Sequence, residues 1–316
     1  MRSRSGAFAK YAWFVLAFNI LVILWGVFLR ASKSGDGCGR HWLTCGGEVV
    51  PSAPELKTVI EFTHRITSAF DGLLVILLLA WAIYRWRSLR DEGFENFELK
   101  AAVGAFVFVV IEGLLGAGLV LTGNTAETLT PERPFWMAAH LVNTLILLTF
   151  LTLTAWFASG GARLALKADS RARIVIAVAV AAFLCIGITG SIAALSSMIF
   201  PSQTLAEGLD KDFSATSNFL LRLRLLHPII SILSAIFLIF AAGWLRRRSN
   251  DDRGVVRWSN ILSILVLVQI AFGAATLLTL APIVMQLGHL LLADAIWISI
   301  VMLAASYFSR GEPNLA

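Results

Sequence analysis

Eight long apolar runs constrain the fold of this chain more than any other feature of its sequence. A helix rises about 1.5 Å per residue, so about 20 apolar residues cross the roughly 30 Å hydrocarbon core of a bilayer. Hydrophobic residues make up 58% of the 316 positions and charged residues only 15%, which leaves too little polar surface for a water-soluble protein. The sequence therefore predicts an all-α integral membrane protein. Its predicted spans are 11–31, 59–84, 100–122, 136–158, 172–196, 218–245, 256–279 and 282–308.

Basic residues are concentrated on one side of these runs. They precede the first run and follow the second, fourth and sixth, whereas the alternate connections hold fewer of them. Short loops rich in lysine and arginine stay in the cytoplasm, so both termini are predicted to be cytoplasmic. The net charge of +6 is explained by these loops, and nucleic-acid binding is excluded. The basic residues are Arg2, Arg4, Lys10, Arg85, Arg87, Arg90, Lys100, Arg163, Lys167, Arg171, Arg173, Arg246, Arg247, Arg248, Arg253 and Arg257.

The sequence also contains an internal repeat. Residues 112–122 align with 269–279, keeping glycine, alanine, leucine and threonine in register. The repeat predicts two four-helix halves, 1–158 and 159–316, and because four is even, the axis relating them lies along the membrane normal. This argues against an inverted-repeat transporter. Small residues on the third and seventh runs are predicted to allow close helix packing; they are Gly113, Gly116, Gly118, Gly273, Ala274 and Ala275.

Four histidines lie near the non-cytoplasmic ends of the even-numbered runs: His64, His140, His227 and His289. A single membrane histidine is usually a hydrogen-bonded packing residue, but four at one depth, two per half, indicate ligands. Imidazole binds zinc, copper and haem iron. The histidines are not closely spaced in sequence and carboxylates are scarce, which disfavours a compact zinc or di-iron site. Facing histidines on different helices favour axial ligation of haem, with one site in each half.

The segment Glu61–Arg65 places three ionisable side chains at the end of the second run. Ionisable groups in a membrane helix are functional candidates, although Glu61 and Arg65, four residues apart, could simply pair at the boundary. The second-half counterpart, Arg224-Leu-Leu-His227-Pro228, keeps the histidine and lacks the glutamate. This difference predicts a reacting site in the first half and a resident cofactor in the second.

Two further groups lie toward the outer face. Arg65, Arg222 and Arg224 are candidates for pairing with anionic haem propionates, or equally with lipid headgroups. The outer loop, 32–58, contains Cys38 and Cys45 on the oxidising side, where they could form a structural disulfide or a redox-active pair.

Together these residues resemble the haem A synthases of bacteria and mitochondria. The resemblance covers nearly the whole chain and rests on the Glu61-x-x-His64-Arg65 motif, the Cys38 to Cys45 loop and the three other histidines in an eight-helix repeat. One departure is Trp42-Leu-Thr-Cys45, where family members commonly have Trp-Pro-Leu-Cys.

The resemblance implies oxidation of the ring methyl of haem O to a formyl group, giving haem A for terminal oxidases. It implies that His64 and His140 flank the substrate haem, that His227 and His289 ligate the iron of a resident haem B, and that Glu61 is catalytic. We further expect a bacterial cell membrane location with the haem sites toward the outer face, and haem O synthase and terminal oxidase assembly factors as partners. The alternative is a di-haem B cytochrome that exchanges electrons with quinone.

Overall fold

The computed structural model describes residues 2–90, 96–125, 130–167 and 169–309, and within these residues the chain is helical with no named strand. Eight segments are long and apolar enough to cross a membrane, and one of them, Phe219–Arg248, consists of two consecutive helices. The all-α, eight-span, multi-pass fold predicted from the sequence is therefore confirmed. The helices are α1 (Arg2–Ala31), α2 (Leu56–Leu89), α3 (Phe97–Leu121), α4 (Arg133–Ala158), α5 (Ser170–Ile199), α6 (Leu205–Phe213), α7 (Phe219–Arg224), α8 (Leu226–Arg248), α9 (Arg253–Leu278) and α10 (Ile283–Phe308).

Most helices extend beyond the predicted apolar runs. The second run was predicted to end at residue 84, but α2 continues to Leu89 and includes Arg85, whose Nε donates a 2.8 Å hydrogen bond to Glu98 of α3. Hydropathy marks only the part of a helix that lies in hydrocarbon, whereas backbone hydrogen bonding continues into the polar interface. The predicted boundaries were wrong for this reason.

The predicted span 218–245 is interrupted. It consists of α7 and α8, separated at Leu225. Pro228 has no N–H to donate to the carbonyl of Arg224, and its ring opposes that carbonyl, so the helix breaks within the preceding turn. The short helix α6, just before this span, was not predicted. It is capped by the Thr204 hydroxyl, which accepts a 3.2 Å hydrogen bond from the backbone of Glu207, and its polar composition gives no membrane-span pattern.

The two halves show the same order of helix contacts. In the first half α1 contacts α2 and α4, and α3 contacts the same two helices. In the second half α5 contacts α8 and α10, and α9 contacts the same two. The halves meet through α4 with α10, α4 with α5, and α1 with α10. When α1, α2, α3 and α4 are matched with α5, α8, α9 and α10, each of these contacts has a counterpart in the other half. This correspondence supports the predicted repeat. The direction of its axis and the cytoplasmic location of the termini stay predictions.

A tryptophan joins the halves at their seam. Trp297 of α10 is buried, and its Nε1 donates to the carbonyl of Leu145 on α4 at 2.7 Å, with Thr149 Oγ1 at 3.0 Å. Its ring lies 5.3 Å from that of Phe183 on α5. An indole N–H in an apolar environment needs an acceptor, so these contacts fix the register of α4 against α10.

Asp169 connects three helices at the other end of the second half. Its carboxylate accepts hydrogen bonds from the backbone of Ala172 at 3.1 Å, from Arg248 Nε at 2.6 Å and from the Tyr307 hydroxyl at 2.7 Å. Arg248 and then Tyr307 lower the pKa of Asp169 below its ordinary value. Because the ionised form is the one bound, its stabilising effect is complete at neutral pH and is lost as the pH falls through the folded-state pKa.

Asp169→Ala should therefore lower the thermal stability of the detergent-solubilised protein. The loss of a helix cap alone destabilises by about 1 kcal/mol, and the contacts to α8 and α10 add to it. Glu55→Ala is the matched control, because Glu55 precedes α2 without a capping hydrogen bond. The difference in melting temperature between wild type and Asp169→Ala should become smaller as the pH falls below about 4. Equal melting temperatures for the wild type and Asp169→Ala at pH 7 would contradict this role.

Candidate functional site

The second-half histidines are spaced to bind one metal between them. The ring centroids of His227 on α8 and His289 on α10 lie 6.5 Å apart, with ring planes at 82°. Two imidazoles whose nitrogens each lie about 2 Å from one metal ion have centroids about 6 Å apart. The donor type and this spacing fit a haem iron held by two axial ligands. Within the described residues no group of three or more His, Cys, Asp or Glu side chains converges on a metal position, so a metal at either pair would have at most two protein ligands of these types.

Glycines on neighbouring helices position three of the four imidazoles. A Cβ added at Gly190 would lie 2.9 Å from His227 Cε1, and one added at Gly273 would lie 3.0 Å from His289 Cε1. In the first half, a Cβ at Gly26 of α1 would lie 3.0 Å from His64 Cε1. These distances are shorter than ordinary carbon contacts. The hydrogen side chain of glycine therefore allows each ring to lie directly against the adjacent helix.

The predicted packing role of the small residues on α3 and α9 is only partly correct. Gly273 lies against His289, and Gly118 lies against the ring of Trp136. Gly113 and Gly116 have no heavy atom within 4 Å of an added Cβ, so these two glycines do not mediate a close helix contact. Periodicity places a small residue on a helix but does not show which neighbour it faces.

The first-half histidines lie on α2 and α4. His64 is within electrostatic range of both His140 and Glu112. The Nδ1 atoms of His64, His140 and His289 are buried without an aligned hydrogen-bond partner. Burial without a hydrogen bond is costly for a ring nitrogen, and rings that are not fully engaged by the protein are available to a ligand.

Glu61 connects α2 to the outer loop. The glutamate is buried, at 3% exposure. Its Oε2 accepts a 2.8 Å hydrogen bond from the backbone of Cys38, and its Oε1 accepts one of 3.1 Å from Arg65 Nε. Arg65 Nη1 also donates to the carbonyls of His41 at 2.6 Å and Thr44 at 2.8 Å. The Glu61 and Arg65 pair that the sequence left as an alternative is therefore present, and it anchors the loop.

A disulfide closes this loop. Cys38 and Cys45 are bonded, with their Cα atoms 4.4 Å apart, which confirms the predicted disulfide. The Thr58 hydroxyl donates a 2.8 Å hydrogen bond to the carbonyl of Gly37, next to the bonded cysteine. The loop is thus held by the disulfide, by Glu61 and by Thr58, and it lies over the end of α2 that carries His64.

The segment that contains α6 and α7 is held by an ion pair in which the residue nearest the histidine is the arginine. Arg224 Nε donates to Asp212 on α6 at 3.1 Å, and Arg222 Nη2 donates to the carbonyl of Ala215 at 2.7 Å. Each of the three arginines considered for haem propionates thus has protein partners. A contact with propionates stays a prediction for Arg65, Arg222 and Arg224.

Sequence reasoning missed two carboxylates in the first half. Glu112 on α3 lies with its Oε1 3.0 Å from His140 Nδ1. Asp71, two turns along α2 from His64, is buried and accepts a 2.6 Å hydrogen bond from Asn19 on α1. The missed signal was the presence of acidic residues in the apolar runs, since intramembrane carboxylates are functional candidates by default.

The fold and these sites define a multi-pass membrane protein with one histidine pair in each half. Residues 9–301 match the profile of the COX15-CtaA family, described as cytochrome oxidase assembly protein, and the chain belongs to this family. Membership in the family predicted from the sequence is thereby confirmed.

Similar proteins carry two different names. A Thermus thermophilus protein named protoheme IX farnesyltransferase is 40% identical over 307 residues, which is 97% of this chain and 49% of that protein. Proteins named heme A synthase are 30% identical in Halalkalibacterium halodurans, over 287 residues, and in Shouchella clausii, over 286 residues. These two alignments each cover 88% of this chain and 89% of the relative. The chain thus spans about half the length of the Thermus relative and most of the other two.

Gly273→Ala should displace the ring of His289 and so weaken the haem binding that the sequence predicts for the second half. Overpacking of this kind costs about 1–3 kcal/mol, so about a tenfold loss of affinity or more is expected. The measurement is haem bound per protein after purification. Gly243→Ala is the matched control, because no heavy atom lies within 4 Å of a Cβ at that position on α8. If both variants retain full haem content, Gly273 does not position the ligand.

Proposed function

We propose that this protein makes haem A by oxidising the ring methyl of haem O to a formyl group. The observation that carries the proposal is the chemical difference between two otherwise similar halves. Each half has a histidine pair, but Glu61 and Glu112 of the first half align with Arg224 and Gln269 of the second. Acidic groups beside one pair indicate a site where protons are transferred. The names of the Halalkalibacterium and Shouchella relatives support the same activity.

His64 and His140 are proposed to flank haem O in the first half, and His227 and His289 to ligate haem B in the second. A haem in the second half would supply one-electron transfer away from the reacting site. When water provides the oxygen, methyl-to-formyl oxidation releases four electrons and four protons from the substrate and one water molecule together, and an external electron acceptor must take the electrons. The first half therefore needs a group that accepts protons close to the substrate.

Glu61 is placed for this proton transfer. It lies three residues before His64, nearly one turn of α2, so the two side chains project from neighbouring positions on the helix. The Cys38 N–H and the Arg65 guanidinium fix its carboxylate, which reduces the reorganisation needed when a proton is accepted. Glu61 is only 3% exposed beneath the loop, which limits its contact with bulk water.

The substrate also indicates the partners. Farnesyl transfer to protohaem, the reaction in the name of the Thermus relative, gives a farnesylated haem of the same class as haem O. We propose that a haem O synthase supplies the substrate and that terminal oxidase assembly factors receive the product. The proposed location is the bacterial cell membrane, with both haem sites toward its outer face.

Glu61→Gln should preserve haem binding and lower the rate of haem A formation by about 100-fold or more, the usual contribution of a general base. Thr58→Val is the matched control, because it removes a hydrogen bond to the same loop and leaves the carboxylate in place. Extraction and chromatography of the haems from membranes expressing each variant measure the product. Equal losses in Glu61→Gln and Thr58→Val would show that Glu61 acts only through the loop.

The presence of a histidine pair in each half also favours a second candidate, a di-haem B cytochrome. The two functions differ in the pigment that the purified protein contains. Haem A synthesis predicts haem B together with haem O or haem A, whereas the cytochrome contains haem B alone. In His227→Ala, haem B should be lost while haem O binding in the first half continues. An unchanged reduced spectrum in this variant would overturn the assignment of the second half.

A further inference from the structure

We propose that Glu112 is a positioning residue that polarises His140, so that the α4 ligand of the first half differs electronically from its counterpart His289. The inference rests on the proposed haem sites and adds a residue that neither the motif nor the histidine pattern contains. Glu112 lies on α3, and the polar side chains that contact it among the described residues come from one turn of α4.

Three groups on α4 hold the Glu112 carboxylate. Oε1 lies 3.0 Å from His140 Nδ1 and accepts a hydrogen bond from the Thr144 hydroxyl. Oε2 accepts a 2.5 Å hydrogen bond from Asn143 Nδ2, which also donates to the carbonyl of Phe108 at 2.9 Å. Nδ1 is close to the carboxylate but is not aligned for a full hydrogen bond.

The second half has a neutral amide at the corresponding position. Gln269 Nε2 donates a 3.1 Å hydrogen bond to the backbone carbonyl of His289 and lies 3.3 Å from its Nε2. The Nδ1 of His289 is buried without a partner. At equivalent positions of the repeat, Glu112 therefore places a carboxylate at Nδ1 of His140, whereas Gln269 places an amide at Nε2 of His289.

The two halves also differ in the glycine that lies near the α4 or α10 histidine. In the repeat, Gly116 corresponds to Gly273. A Cβ at Gly273 would contact the ring of His289, whereas one at Gly116 would have no heavy atom within 4 Å. His140 is thus the one ligand of the four for which the described residues give a carboxylate contact and no glycine contact.

Among the described residues, no carboxylate contacts Nδ1 of the other three histidines. His227 Nδ1 lies 3.2 Å from the Thr189 hydroxyl and 3.5 Å from that of Ser231. His64 Nδ1 is buried without a hydrogen-bond partner. A carboxylate on one ligand of four is therefore a specific feature of the first half among the described residues.

A carboxylate at Nδ1 has a defined chemical effect. It fixes the tautomer that carries hydrogen on Nδ1, which leaves Nε2 free to bind iron, and it increases the basicity of the ligand. A more basic ligand stabilises ferric over ferrous iron and lowers the reduction potential. The neutral amide of Gln269 has a weaker effect, because it carries no negative charge and lies at Nε2 of His289 rather than at Nδ1.

Reciprocal substitutions test the proposal. Glu112→Gln gives the first half the residue of the second, and Gln269→Glu does the reverse. The midpoint potentials of the two haem components are measured by redox titration of the purified, haem-containing protein, with circular dichroism to verify folding. Glu112→Gln should raise the potential of one component and leave the other unchanged. A tenfold change in the preference for ferric iron corresponds to about 59 mV for one electron.

Gln269→Glu is expected to shift the other component, and Glu112→Asp should restore part of the wild-type potential. Unchanged potentials in folded, haem-loaded Glu112→Gln would overturn the proposal, as would equal shifts of both components. Haem A formation is assayed in parallel with wild type. If wild type binds both haems but makes no haem A, the proposed function fails, while the titration still decides the role of Glu112.

Discussion

The close approach of neighbouring helices at glycine is the constraint on which both histidine sites depend. An imidazole can lie against the next helix only where that helix has no side chain, and Gly26, Gly190 and Gly273 meet this requirement. In a membrane, where burial of apolar surface does not drive helices together, such packing contacts largely determine the distances between helices. The 6.5 Å separation of the His227 and His289 rings therefore depends on the presence of Gly190 on α5 and Gly273 on α9.

The first half differs from the second in having three carboxylates near its histidine pair. Glu61, Asp71 and Glu112 lie on its helices, and each has a polar partner on another segment. Buried charges destabilise a protein unless they are compensated, and the partners come from the outer loop, α1 and α4. The three carboxylates that distinguish the proposed reacting half therefore also hold its helices and the outer loop together.

Much of this architecture could be predicted from sequence because the signals are local. The spans follow from apolar length, and the four histidines follow from residue type and depth. The break at Leu225 was harder to predict, since one proline distinguishes a kink from a continuous helix. The environment of His140 could not be predicted, because its partner Glu112 is 28 positions earlier in the sequence and only the packing of α3 on α4 brings them together. The protein partners of Arg222 and Arg224 were missed for the same reason, since loop conformation determines them.

The contact between α4 and α10 limits the movement of the two halves relative to each other. α4 and α10 carry one histidine of each pair, and Trp297 joins these helices through the backbone of Leu145 while its ring packs on α5. A shift of α4 along its axis would have to break this hydrogen bond or carry α10 with it. One histidine of each pair therefore lies on a helix that is hydrogen-bonded to the other, so the position of His140 is fixed relative to that of His289.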